Sequence, residues 1–229
     1  MSKSHSTTPT WHKYAGAPDT DTAMAWTKDQ VFAAVKEHFD RFMVVSKPGA
    51  DNDKAPTKGF SSSNTADADT AWRHFGQGFN VGVQPDFDSH MAIVDADATG
   101  DMAAFEAFVR STYGFQAHAT VRSPGRYQPG TTELEPRHNG GGHYWCTLPA
   151  TVHDLFPADA NGKRPRIPGT AGERVQDNDD RGGFDVVFAK KFCLAPPSER
   201  TEGPYKLVLV DGDTAVNCMP PTFITDVLI

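Results

Sequence analysis

The run Met91-Ala92-Ile93-Val94-Asp95-Ala96-Asp97 constrains this chain more than any other stretch. Four apolar residues lead directly into two acids. Side chains on a strand alternate between its faces, so Asp95 and Asp97 share one face. Strands are depleted in Asp, and two carboxylates on neighbouring same-face positions repel unless a cation or base sits between them. From this motif alone two readings stay open. One is a hard divalent cation at a strand end, since Mg²⁺ takes oxygen ligands, often one or two carboxylates plus substrate phosphates. The other is a solvated strand terminus with both acids in water.

The surrounding pattern supplies the other elements. Val31, Phe32, Val35, Phe39, Phe42 and Met43 recur at helical spacing, and Thr27 with Gln30 reads as a capping box. This predicts a helix from Thr27 to about Val45. Ala50 to Thr65 reads as a loop, Asp69 to Phe75 as a short helix, and Phe79 to Val83 as a buried strand. Gly82 in that strand marks close backbone approach. Thr99 or Asp101 is expected to cap a helix through Tyr113, with Met102, Phe105, Phe108 and Val109 inward. Further strands are expected at 117–122, 144–148, 184–187, 192–195 and 205–210. Residues 123–139 and 151–183 read as loops, the second long enough to be functional or mobile. Met1 to Asp21 reads as a flexible arm. No repeat or linker divides the rest, and the mixed element order points to one α/β or α+β domain.

Composition excludes several classes. The chain has 229 residues, 38% hydrophobic and 22% charged, which rules out full disorder. No stretch approaches the ~20 apolar residues of a membrane span, and the Ser/Thr-rich start lacks a secretory h-region. A net charge of −7 argues against a surface coated with basic residues for tight, unspecific nucleic-acid binding, though a local basic groove is compatible with it. Cys146, Cys193 and Cys218 stand far apart. Their odd number and spacing argue against a disulfide framework or a cysteine-based zinc site and favour free thiols in a reducing cytosol.

Two further signals join the acid pair. Gly140-Gly141-Gly142-His143 reads as a turn that brings main-chain N–H groups close to a ligand and sets a histidine at the start of a strand. On its own it fits a tight turn with a surface histidine better. Asp185 lies inside the apolar strand Phe184 to Val187 and needs a partner, a metal or a lysine such as Lys190 or Lys191. Three carboxylates on two strands, a glycine-rich segment with a histidine, and nearby Arg and Lys fit a two-metal phosphoryl-transfer site.

In this combination the sequence resembles the bifunctional primase–polymerase (prim-pol) domains of the archaeo-eukaryotic primase superfamily. The motifs that carry the resemblance are Asp95-Ala96-Asp97, Gly141-Gly142-His143 and Asp185. Outside them, Lys54-Ala55-Pro56-Thr57-Lys58-Gly59-Phe60 is similar to the family's K-x-P-x-x-G-aromatic segment. Asn80 to Val83, Thr120 to Pro124 and Ala195-Pro196-Pro197-Ser198 also have family counterparts. The chain departs from the pattern in three places, one of them the long Thr151 to Gly183 stretch. Gly125 to Asn139 is inserted before the glycine turn, and Val187 stands where a basic residue is common.

The resemblance implies an α+β fold: a single prim-pol catalytic domain over residues 22–229, with mixed β-sheets flanked by helices around an RRM-like core. It implies DNA-templated nucleotidyl transfer from nucleoside triphosphates, with Asp95, Asp97 and Asp185 holding two divalent ions, Mg²⁺ or Mn²⁺. His143 would bind the incoming triphosphate, with Arg122, Ser123, Lys190 and Lys191 nearby. The partners implied are a single-stranded DNA template and a helicase module, in phage or plasmid replication within a bacterial cytoplasm. The abrupt ending Ile224 to Ile229, without a polar tail, adds the expectation of a domain excised from a longer replication protein. A metal-dependent nuclease or phosphohydrolase, or a non-catalytic nucleic-acid-binding module, are the competing expectations.

Overall fold

The computed structural model describes residues 26–50, 52–86, 88–149, 184–188, 191–210, 213–220 and 222–223. The expected arm at 1–21, the long segment 151–183 and Lys190 lie outside them. The fold is mixed α+β. Among the described residues, no helix is long and apolar enough to cross a membrane.

Helix α1, Lys28–Lys36, begins at the expected capping box: Gln30 N–H donates to Thr27 Oγ1 and Thr27 N–H donates to Gln30 Oε1. It ends nine residues short of the expected Val45. Phe42–Val45 instead forms strand β1, buried at all four positions. A short, continuous apolar run cannot be assigned to helix or strand by spacing alone, and here β-branched Val44 and Val45 fill a sheet interior. Helix α2, Ala68–Phe75, follows, with Thr70 N–H donating to the Asp67 carboxylate at its start. Strand β2, Asn80–Val83, pairs antiparallel with β1, and Cys193–Leu194 (here β7) pairs with β2 to complete a three-stranded sheet. A Cβ at Gly82 would collide with the Phe192 ring and the Cys193 carbonyl, so the close approach expected there is present.

The larger sheet is built on β3, Met91–Ala98, and β5, Gly140–Thr147, in antiparallel register from Met91↔Thr147 to Ala98↔Gly140. Strand β6, Phe184–Val187, lies on the other edge of β3 and pairs Asp185 with Asp95. Strand β4, Val121–Arg122, takes the outer edge of β5 at Gly142 and His143, and Lys206–Leu207 (β10) continues the sheet beyond it. Val216–Cys218 (β13) pairs in parallel with the rest of that edge, Trp145 to Thr147. Two-stranded ribbons of β8 (Glu199–Arg200) with β9 (Gly203–Pro204), and of β11 (Leu209–Val210) with β12 (Asp213–Thr214), complete the set.

This arrangement explains why the strand expected at 117–122 is only two residues long. Strand β13 occupies the edge of β5 where it would have continued. Asn217 bonds in place of a ladder there: its amide donates to the His118 and Trp145 carbonyls, and its oxygen accepts from His118 N–H. Likewise the expected strand at 205–210 is broken into β10 and β11, because Val208 N–H turns to the Thr120 carbonyl.

The large sheet separates two cores. Ala92, Val94, Ala96, Tyr144, Phe184 and Val186 pack under helix α3, Thr99–Tyr113, with Met102, Phe105 and Val109. Ile93, Val121, Trp145, Val187 and Leu207 face the three-stranded sheet. Strand periodicity therefore sends the even positions of β3 to α3 and the odd ones, Asp95 included, to the opposite face. Helix α3 has the expected length. Its N-cap is Ala98, with no side-chain cap bond, in place of Thr99 or Asp101.

The glycine run also differs from expectation. Gly140, Gly141 and Gly142 lie within β5, so they form a strand and not a turn. A Cβ at Gly141 would collide with the Ala96 and Asp97 carbonyls, and one at Gly142 with the Val121 carbonyl. The glycines let β3, β4 and β5 approach closely beside the acids. Gly142→Ala is expected to lower stability by about 1–3 kcal/mol. Gly100→Ala, where a Cβ meets nothing within 4 Å, should be neutral or stabilising. Urea unfolding midpoints of the two variants check this contrast.

Candidate active site

Where β3 leaves the core, its odd face turns from Ile93 to Asp95 and then Asp97. Both acids line a polar cavity of about 260 Å³. Its wall includes Lys54, Ser123, Arg126, His138, His143, Arg200 and Tyr205. Four separate chain segments thus converge on the end of one strand.

Cross-strand partners share a face, so the pairs Asp95↔His143 and Asp95↔Asp185 set those three side chains side by side. His143 Nε2 lies 3.4 Å from Asp95 Oδ1. The His143 side chain is only 5% exposed, and its ring packs against Tyr205 with centroids 5.7 Å apart. Burial pushes the imidazole below its ordinary pKa, opposed by the charge of Asp95. The neutral ring is favoured, with one N–H to donate. A second histidine, His138, sets Nδ1 3.4 Å from Asp97 Oδ1. It closes a short 3₁₀ turn, Pro136–His138, at the end of the inserted segment.

Arg200 ties three walls of the cavity together. Its Nε donates to Asp53 Oδ2 at 3.0 Å and its Nη1 to the Gly125 carbonyl at 3.0 Å, and Glu202 Oε2 lies 3.7 Å from Nε. Lys54 reaches the cavity because its segment runs along β1: Ser46 N–H donates to the Ala55 carbonyl and Thr57 N–H to that of Val44. The Asn80 to Val83 and Ala195 to Ser198 segments lock together beneath. Ser198 Oγ accepts from Val81 N–H and donates to the Val81 carbonyl, while Asn80 and Glu199 exchange two hydrogen bonds.

The structure therefore brings Asp95, Asp97, Asp185, His143 and Ser123 to one face. Arg122 lies on the other. It pairs with Gly142 on the α3 side, and its Nη1 is 3.0 Å from Met102 Sδ. Asp185, though on the same sheet face as Asp95, does not line the cavity, and neither do Arg122 and Lys191. Sequence reasoning missed Asp53, Arg126, His138, Arg200 and Tyr205, none of which sits in a chemically distinctive motif. Lys54 carried a signal in its K-x-P-x-x-G context but no role. Cys193 was missed too; one ligand atom each from Asp95, His143 and Cys193 lie within 4.8 Å of one another.

The sequence matches the family model of the bifunctional DNA primase/polymerase N-terminal domain, Prim-Pol, over residues 31–221. The chain belongs to the Prim-Pol family. No curated protein matches it.

Two consequences are measurable. Arg200→Ala leaves Asp53 and Glu202 facing each other without their cation, and should cost about 2–3 kcal/mol in urea unfolding. The depressed pKa of His143 gives a pH dependence with a defined sign. Above the ordinary value of 6.5 its contribution to stability is complete. As pH falls below that, the unfolded chain binds a proton that the buried ring resists, and stability declines. His143→Gln should flatten this decline, leaving the part due to His38, which burial also depresses. Unfolding midpoints across that pH range provide the check.

Proposed function

We propose that this chain is a DNA-dependent primase/polymerase that joins nucleotides on a single-stranded template. Family membership supports primase/polymerase-type nucleotidyl transfer in general. The observation that carries the finer reading is the convergence of Asp95, Asp97 and Asp185 on one sheet face beside a buried, neutral-favouring histidine. Three carboxylates give a hard, all-oxygen donor set, which suits Mg²⁺ or Mn²⁺. These residues would hold two such ions, which when bound supply Lewis-acid charge to the attacking hydroxyl and the departing pyrophosphate.

The chain's own groups divide the remaining work. His143 offers its single N–H to a triphosphate oxygen. Burial keeps the ring from taking a permanent charge, and Tyr205 restricts its orientation. Lys54 and Arg126 add positive charge to a cavity that also holds Asp53, and such charge favours phosphates as negative charge develops on them. Ser123, whose N–H is bound to the Gly141 carbonyl, presents its side chain at the rim. Arg200 holds the wall through Asp53 and Gly125, so its role is positioning. Arg122, held on the α3 face against Met102, is left out of the nucleotide-binding set. Lys190 and Lys191, which follow the third acid, complete the proposed nucleotide-binding set. Phage or plasmid replication in a bacterial cytoplasm, with a helicase module as partner, is the setting this reading favours.

The test is incubation with single-stranded DNA, labelled triphosphates and Mg²⁺ or Mn²⁺, with and without primer. Labelled product is expected, and Asp95→Asn or Asp97→Asn should each lower its rate at least about 100-fold. A shortened template with no labelled product would mean a nuclease. Unchanged synthesis in either variant would overturn the site.

A further inference from the structure

A second cavity, about 220 Å³, adjoins the first and is lined by Lys54, Asp95, His143, Phe192, Cys193, Leu194 and Tyr205. Cys193 enters it from β7, the strand of the smaller sheet that packs over the acid face of β3. It is a free, buried thiol, and the nucleotidyl-transfer reading gives it no task. We propose that Asp95, His143 and Cys193 form a site for a thiophilic divalent cation of the zinc class, and that its occupation inhibits the enzyme.

Geometry supports the donor set. A tetrahedral zinc ion with bonds of about 2.0–2.3 Å separates its ligand atoms by roughly 3.3–3.7 Å. His143 Nε2 and Asp95 Oδ1 are already 3.4 Å apart. All three donor atoms fall within 4.8 Å, so at most about 1.5 Å of contraction separates them from one face of such a tetrahedron. The fourth position opens onto the cavity. His143 Nδ1 is buried and has no hydrogen-bond partner among the described residues. Among the described residues none fixes the tautomer from behind, and the ring can shift its proton to Nδ1 to leave Nε2 as a ligand.

Chemistry separates this cation from the ions of synthesis. Thiolate and imidazole select zinc-class ions, whereas Mg²⁺ prefers carboxylate and water. On binding, Cys193 loses its thiol proton to solvent as the sulfur–metal bond forms. The two anionic ligands, Asp95 and the Cys193 thiolate, then cancel the charge of the ion, so the site passes from the single negative charge of Asp95 to neutral beside Lys54. Occupation removes Asp95 from the acid set and the imidazole from the triphosphate. The inhibition rests on the nucleotidyl-transfer reading; the binding does not.

Cobalt(II) is the probe, because a thiolate ligand gives it a near-ultraviolet charge-transfer band. Titration of the full chain should produce this band at one equivalent, and zinc should bleach it. Cys193→Ser should abolish it, while Cys146→Ala and Cys218→Ala retain it. Asp95→Asn should weaken cobalt binding about tenfold or more, which decides the matter even if the Cys193 variant fails to fold. No band, or a band that follows Cys218, overturns the site. In a parallel Mg²⁺-dependent synthesis assay, stoichiometric zinc should stop product formation and a chelator restore it. Undiminished synthesis with the site filled overturns the inhibition. Absence of synthesis without zinc counts against the nucleotidyl-transfer reading and leaves the cobalt result standing.

Discussion

Seven register pairs hold β3 against β5, and the arrangement of the site follows from them. Strand pairing converts sequence spacing into spatial position. With Asp95 opposite both His143 and Asp185, three groups from distant parts of the chain become neighbours without any loop having to place them. A slip of one residue in β3 would turn the acids toward α3 and bury them against Tyr144 and Phe105, and a slip in β5 would carry His143 to that face instead. The glycines of β5 hold this register from the other side. Only residues without a Cβ fit against the Ala96, Asp97 and Val121 carbonyls, so β5 can seat in one way beside β3 and β4.

Much of this was legible in the sequence because it depends on period two. The acid pair, the third acid in an apolar strand and the histidine after the glycines all lie on regular strands, where chemistry and geometry share a rule. The cap of α1 and the tight packing at Gly82 were legible for a similar reason, since each is a local requirement. Phe42 and Met43 were not, because a four-residue buried strand has no alternation to distinguish it from the helix before it. The Gly140 to Gly142 run was misread because glycine serves close strand packing as readily as it serves turns.

The rest of the site was hidden because it depends on tertiary contacts. Arg200 matters through Asp53, 147 positions away, and nothing in the local sequence of either announces the other. His138 and Arg126 come from the very segment that departs from the family pattern, so resemblance gave no guidance there. Arg122 shows the converse. It sits in a recognisable segment, yet strand alternation carries it to the opposite face from Val121, whose pair partner is His143. The family motif identified the strand, and the parity of the position decided the side.

The chain's late segments complete its early ones. Cys193–Leu194 closes the sheet begun at Phe42, Lys206–Leu207 extends the sheet beyond Val121, and Val216–Cys218 fills the remaining edge of β5. Such topologies have high contact order and fold slowly, because distant ends must meet before either gains much. During synthesis from the N-terminus, the Trp145 to Thr147 edge of β5 stays bare until residue 218 has left the ribosome. An unpaired apolar strand edge is a template for association with other chains. The nascent protein thus passes through a window in which the strand carrying its histidine also presents an unpaired apolar edge, and the length of that window is set by translation speed over the last third of the chain.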